Sequence, residues 1–392
     1  MRKIFASVIL ALFILPLSAE TPQQVALNII SDAPSLKTAS GETEAEMAAL
    51  KTIANLPDPG IEGEFLVAPE DEDNRWGFGV NWELDWPGAY KARKNAGKAE
   101  AERLSLSNNV ARNNLLTEVR KLILDYILLN RQIALIKEIK QNADSVASLT
   151  QQAMKGGELT LLDINKIKIE NSSLDIRLLT LEDAKKAVEK DLSVIAGKDC
   201  SSLLKDMDCV FPATNLPSPE RMKELAARTP EILEAEAASR YAAASSKVAT
   251  MEGLPSLSIG YKHAFEDGMH FNGGALGISI PIFSNKGKRK AAKAAEMASN
   301  LKTEELRLAS ENNLHASIER LNALSKRIEA VAPLIEDTNP RQLLLNAYSQ
   351  KVITLIDYLS ETNYYMEAGL ELLSMRHAAA NIRLDIFSII GE

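Results

Sequence analysis

From Ala89 to Lys155 the chain contains no proline and one glycine, Gly97, and this stretch limits the available folds more than any other. Leu115, Val119, Leu122, Tyr126, Leu129, Ile133 and Ile136 step by four and three. Ile139, Ala143, Val146, Thr150 and Ala153 continue the series after one added three-residue step. Such spacing marks the apolar seam of a helix packed on other helices, and the added step changes its winding locally. At about 1.5 Å per residue the helix is about 100 Å long, too long for a compact globule. Gly156-Gly157 interrupts it. A second seam then runs through Ile164, Ile167, Asn171, Leu174, Leu178, Leu181, Lys185, Val188, Leu192 and Ile195. So short a break between two long seams predicts an antiparallel helical hairpin.

Just before the long helix, residues 75–86 alternate. Trp76, Phe78, Val80, Trp82, Leu84 and Trp86 are apolar, and Gly77, Gly79, Asn81, Glu83 and Asp85 between them are small or polar. A period of two is that of a two-faced strand. All three tryptophans of the chain lie on its apolar face, which is suited either to coat a soluble core or to meet lipid. Another strand, about 61–67, precedes it across the acidic turn Pro69–Asn74. The earlier chain reads as helical from Thr21 to Asn55, interrupted near 32–36 and at Gly41.

The second half repeats this order. Arg228-Thr229-Pro230-Glu231-Ile232 echoes 32–36, and Leu254-Pro255 echoes Leu56-Pro57. Two strands follow, about 257–265 and 271–282, the latter with Leu276, Ile278 and Ile280 on one face. A basic helix start, Lys286 to Lys290, echoes Lys91 to Lys94. Leu159-Thr160-Leu161-Leu162-Asp163 matches Ile353-Thr354-Leu355-Ile356-Asp357. The chain thus divides into residues 1–19, a first repeat 20–197, a linker 198–216 and a second repeat 217–392. Pro333 and Pro340 have no counterpart in the first long helix and predict a break or kink between Ala332 and Gln342.

Residues 1–19 carry Arg2 and Lys3 before an apolar run from Ile4 to Leu15. A run this short, against about 20 residues for a bilayer span, reads as a cleavable secretory signal. No later stretch is long and apolar enough to span a membrane as a helix, so membrane contact falls to the strands. A net charge of −8 argues against a nucleic-acid partner. Cys200 and Cys209, close together in an exported chain with no nearby histidine, point to a local disulfide rather than a metal site. Closing so short a loop contributes about 2–3 kcal/mol.

Four strands cannot close a barrel alone, and the helical seams are occupied by one another. At about 3.3 Å per residue and a tilt of about 40°, residues 75–86 rise about 30 Å, enough for an outer-membrane hydrocarbon band. Trp76, Phe78, Val80, Trp82, Leu84, Trp86, Leu276, Ile278 and Ile280 then face lipid. Glu62, Glu64, Glu83, Asp85 and Lys262 face a wet lumen, where the carboxylates favour cations.

The doubled order of these segments, the Leu-Pro before each ribbon, the strand running into a basic helix and the paired Leu-Thr-Leu-Leu-Asp and Ile-Thr-Leu-Ile-Asp turns resemble the outer-membrane efflux proteins of the TolC type. The resemblance covers essentially all of the chain after the signal. It implies a mixed fold of α-helices and transmembrane β-strands, a homotrimer whose strands form a twelve-stranded β-barrel on a periplasmic α-helical barrel. The implied location is the bacterial outer membrane, with a large periplasmic portion. Implied partners are a periplasmic adaptor and, through it, an inner-membrane pump. The hairpin turns become adaptor-contacting tips, with Gly156, Gly157, Leu159 and Thr160 in one and Val352, Ile353 and Thr354 in the other. Lys351 stands where the family usually has glycine. Asp357, and its mate Asp163, match the position of an acidic ring that narrows the tip.

Plainer readings stand beside these. Asp163 and Asp357 are also first-turn helix residues, where a carboxylate is favoured by about 0.3–1 kcal/mol. The glycines are turn formers. His263, Met269 and His270 suggest metal export only weakly, and Lys286 to Lys290 reads as a solvated collar. No catalytic or phosphate-cradling motif occurs, and no cofactor or resident metal is expected. The expected function is a passive efflux channel for small molecules or metal ions. The alternatives are a duct for type I protein secretion and a soluble periplasmic coiled-coil scaffold.

Overall fold

The computed structural model describes residues 20–67, 74–155 (backbone alone from 151), 160–212, 215–283, 285–336 and 340–391. In chain order the first elements are α1 (Pro22–Ser31), α2 (Pro34–Leu50), β1 (Gly60–Leu66), β2 (Arg75–Leu84), α3 (Pro87–Lys155), α4 (Leu161–Ala196) and α5 (Ser201–Lys205). They are followed by α6 (Pro219–Ala226), α7 (Pro230–Met251), β3 (Ser256–Glu266), β4 (Met269–Ser279), α8 (Lys288–Glu336), α9 (Pro340–Ser349) and α10 (Leu355–Ile390). The signal reading of 1–19, Gly156, Gly157 and Leu159, and the turn from Pro69 to Asp73 lie outside the described residues.

The proline-free stretch forms the 69-residue α3. Prolines open α1, α2, α3, α6, α7 and α9, where the missing N–H costs no helical hydrogen bond. Hydroxyls cap several of them: Ser218 accepts from the Arg221 amide and Thr229 from the Ile232 amide. Gly41 stays inside α2, in open space, and does not interrupt it. The expected break between Ala332 and Gln342 is present, since α8 ends at Glu336 and α9 opens at Pro340, with Pro333 itself still within α8.

The chain forms two compact units, each drawn from both halves of the sequence. The first takes in the described residues of 1–31, 122–212 and 339–374. Its core joins Ile136, Ile139 and Ala143 of α3 to Leu174 of α4 and Met366 of α10, and a second cluster joins Val146, Ile167, Leu355 and Tyr358. The seams therefore pack across both hairpins rather than pairwise within each. Burying one such leucine or isoleucine contributes about 1.5–3 kcal/mol. Of the two polar residues of the α4 seam, Asn171 donates to Asp144 at 3.1 Å while its buried Oδ1 has no hydrogen-bond partner among the described residues, and the Lys185 ammonium lies 5.0 Å from the Tyr126 ring centre.

The second unit takes in the described residues of 32–121, 213–338 and 375–392. Its helical core gathers Met222 and Ala226 of α6, Leu314 and Leu321 of α8, and Ala379, Ile386 and Ile390 of α10. It also holds one four-stranded antiparallel sheet, in the order β1-β2-β3-β4. The β3–β4 connection is tight. Asp267 and Gly268 both have positive φ (51° and 75°), the requirement of a two-residue type I′ turn that matches strand twist. Strands end earlier than the alternation suggests. β2 stops at Leu84, before Pro87, and β4 stops at Ser279, because Pro281 has no N–H to donate and the Ile282 amide turns back to the Ile280 carbonyl at 2.9 Å.

Candidate functional site

The strand register sorts every side chain of the sheet onto one of two faces. Trp76, Phe78, Val80, Trp82 and Leu84 stand opposite Phe265, His263, Tyr261, Ile259 and Leu257 of β3. Leu276 and Ile278 of β4 join Ile259 and Leu257 on the same face. It is apolar and open: Ile61 is 81% exposed, Leu276 85% and Ile278 69%. Trp76 stacks on Phe265 with ring centres 5.8 Å apart, and the Trp82 indole N–H donates to the Pro57 carbonyl at 2.7 Å. Trp86 and Ile280 lie just beyond their strands, both exposed.

Glu62, Glu64, Glu83 and Lys262 share the opposite face, as their pairing with Gly79, Gly77, Ser258 and Gly79 respectively requires. Asn81 donates to Glu62 at 2.7 Å, Ser256 donates to Glu83 at 2.9 Å, and Lys262 lies 4.0 Å from Glu64. The floor between them is glycine because the strands approach closely. A Cβ on Gly77 would meet the His263 carbonyl oxygen at 2.7 Å, and one on Gly260 the Val80 carbonyl oxygen at 2.9 Å. Asp85 does not belong to this strand face. It sits at the strand-to-helix junction, where Arg93 pairs with it at 2.7 Å and with Glu252 at 2.8 Å. That three-residue bridge was invisible in sequence, because Glu252 is far along the chain from its partners.

His263 and His270 come together, with rings stacked at 5.3 Å, and His263 Nδ1 lies 2.8 Å from Asn272 Oδ1. Met269 pairs with Glu266 on the other face, so the His-Met-His grouping does not assemble. Among the described residues no group of three metal-ligating side chains forms.

At the hairpin tips, the two matching turns have the same local chemistry. Thr160 Oγ1 accepts from the Asp163 amide at 3.3 Å, while the Asp163 carboxylate accepts from the Thr160 amide and hydroxyl at 3.1 and 2.7 Å. Thr354 and Asp357 repeat the arrangement at 3.2, 3.1 and 2.6 Å. These are reciprocal capping boxes with aspartate at the third helical position, and they account for the repeated Thr-x-x-Asp spacing. The bonds from the threonine hydroxyl, then from its amide, hold both carboxyls below the usual carboxylate range. In the second tip the Lys351 amide donates to the Tyr348 carbonyl and the Val352 amide to the Ala347 carbonyl, with Lys351 at φ 57°. This is a Schellman turn with lysine in the left-handed position usually held by glycine. Val352 is 71% exposed and Ile353 is half-buried beside Tyr358 and Leu355.

The expected disulfide is not formed. Cys200 and Cys209 are free thiols, and α5 stands between them. Cys200 is wholly buried ahead of α5, whereas Cys209 follows Met207, which pairs with Glu20. Burial raises both thiol pKa values above the ordinary range.

No protein-family model and no curated protein matches this chain. Solved structures do. The CmeC outer membrane channel of Campylobacter jejuni superposes with TM-score 0.77 at 14% identity, over 95% of this chain and 86% of that one. The outer membrane protein VceC of Vibrio cholerae gives 0.76 at 15%, over 94% and 96%. The open state of the MtrE outer membrane channel of Neisseria gonorrhoeae gives 0.75 at 16%, over 94% and 88%. At these identities the likeness establishes the fold: very long helices joined to a small antiparallel sheet, as in those outer-membrane channels.

Proposed function

We propose that this protein is an outer-membrane channel, the passive exit duct of a tripartite efflux system. One observation carries the reading: an antiparallel sheet whose apolar face is exposed from Ile61 to Ile278 and whose outer strands, β1 and β4, have no neighbour on their far sides among the described residues. Such a sheet is satisfied when copies pair edge to edge and lipid covers the apolar face. Three chains of four strands give a twelve-stranded barrel with Glu62, Glu64, Glu83 and Lys262 lining a wet lumen. No helix among the described residues is long and apolar enough to cross a membrane. In this reading the sheet is the spanning element.

In this reading the exposed Val352 and the half-buried Ile353 belong to a surface that meets a periplasmic adaptor, together with the other hairpin turn around Thr160. Asp357 carries the narrowing role more plausibly than Asp163. Its second carboxylate oxygen has no partner among the described residues, whereas that of Asp163 lies 3.8 Å from Lys166. The duct needs no catalytic group, since the pump supplies the energy. A soluble scaffold would have to bury Leu276 and Trp76, and the described elements leave both open.

Outer-membrane fractionation, followed by electrophoresis without boiling and planar-bilayer recording, tests this. A detergent-resistant trimer that forms cation-preferring channels is expected. Recovery as a soluble periplasmic monomer ends the channel reading.

A further inference from the structure

The ends of the sheet nearest the long helices are strongly basic in an otherwise acidic chain of net charge −8. Lys91 and Lys94 follow the end of β2, and Lys286, Lys288, Arg289 and Lys290 follow the end of β4. All six side chains are exposed, and none forms an ion pair among the described residues. Both segments adjoin the C-terminal end of α7: Asn285 donates to the Ala249 carbonyl at 3.3 Å and lies against Gly253, and Met251 lies against Gly88. The nearby carboxylates of Asp85 and Glu252 are already taken by Arg93.

Two further features separate this collar from an ordinary solvated face. Neither α3 nor α8 has an acidic residue in its first turn, and α8 opens directly on Lys288-Arg289-Lys290. Cations there oppose the helix dipole, so the sequence adds positive charge to an end that already attracts anions. The collar also borders exposed apolar side chains: Trp86 is 44% exposed, Ile282 69% and Phe283 85%. An aromatic and aliphatic rim next to unpaired cations matches the boundary between hydrocarbon and headgroup.

We propose that this collar binds the phosphate headgroups of acidic glycerophospholipids in the leaflet facing the helices. The inference rests on the reading of the sheet as membrane-embedded. Phosphates bridge lysines contributed by two separated segments, so bound lipid braces the junction between sheet and helices.

The test uses Trp86 as the reporter. A chain carrying Trp76→Phe and Trp82→Phe is reconstituted in phosphatidylcholine vesicles containing brominated phosphatidylglycerol or brominated phosphatidylcholine at equal mole fraction. Phosphatidylglycerol is expected to compete for the site at least about threefold better, and the preference is expected to fall toward unity in about 0.5 M salt and in Lys286→Gln/Lys288→Gln/Arg289→Gln/Lys290→Gln. Equal quenching by the two lipids at low salt overturns the proposal, as does an undiminished preference in the fourfold variant. Quenching by neither lipid instead overturns the membrane reading of the sheet. Native mass spectrometry of the chain with its tryptophans intact repeats the comparison: more phosphatidylglycerol than phosphatidylcholine retained, and the excess lost in the fourfold variant. Equal retention counts against the collar.

Discussion

Leu174 and Leu276 are the same side chain on two apolar stripes, and they end in opposite surroundings. Leu174, on α4, is 1% exposed beside Ile136, Ile139 and Met366, whereas Leu276, on β4, is 85% exposed. Each helical seam finds its partners on other helices of the same chain. No described element covers the sheet face. On the proposed reading, the difference locates what the protein takes from outside itself: lipid against the sheet, and further copies along its edges.

The sharpest way to break this contrast is a charge on the sheet. Leu276→Arg is expected to cost about 2–4 kcal/mol per chain if the residue lies near the bilayer midplane, and it acts in every copy at once. Assembled trimer and channel conductance should therefore disappear, while Glu83→Gln on the other face leaves both in place. Leu174→Ala acts on the other side of the comparison. It removes a buried side chain and should destabilise the helical unit by about 2–5 kcal/mol, read as a lower unfolding temperature with membrane insertion retained.

Smaller effects belong to the tips. Lys351→Gly relieves a left-handed lysine and should stabilise the turn by about 0.5–1 kcal/mol after glycine's own entropic cost, seen as slower hydrogen exchange at the Val352 amide. The capping aspartates give a pH dependence of definite sign. Their folded pKa values are depressed, so the stabilisation is fully present above the unfolded value, about 3.9, and is lost as pH falls through the lower folded value. Thr354→Val removes the largest cause, and Asp357 should then titrate closer to its unperturbed pKa in a carboxyl-detected titration. The thiols give a qualitative check: a thiol reagent should find both cysteines free after unfolding, and Cys200 unreactive before it.

The features legible in sequence were those set by local periodicity. The alternation of Trp76 to Leu84 gave β2 and its two faces, and the proline-free run gave α3 to within its first turn. What failed depended on neighbours remote in the chain. Asp85 continues the alternation yet leaves the strand, held by Arg93, which also pairs with Glu252, and Glu252 cannot be inferred from the residues around Asp85. Cys200 and Cys209 are near in sequence, but a short helix intervenes. Pro333 and Pro340, by contrast, act locally: α8 ends at Glu336 and α9 opens at Pro340, inside the expected 332–342 window, although Pro333 itself still lies in the last turn of α8. Thr160 and Thr354 are the opposite case: the Thr-x-x-Asp spacing carries the capping chemistry in the sequence itself.

The central claim is that the outer strands of the sheet are paired by neighbouring copies. Hydrogen exchange of the outer-membrane-extracted protein, resolved to the amides of Gly60–Leu66 and Met269–Ser279, tests it most directly. If copies close a barrel, the outward amides of β1 and β4 exchange as slowly as those between β2 and β3. If those amides exchange freely while the β2–β3 ladder stays protected, the sheet ends within one chain and the channel account fails.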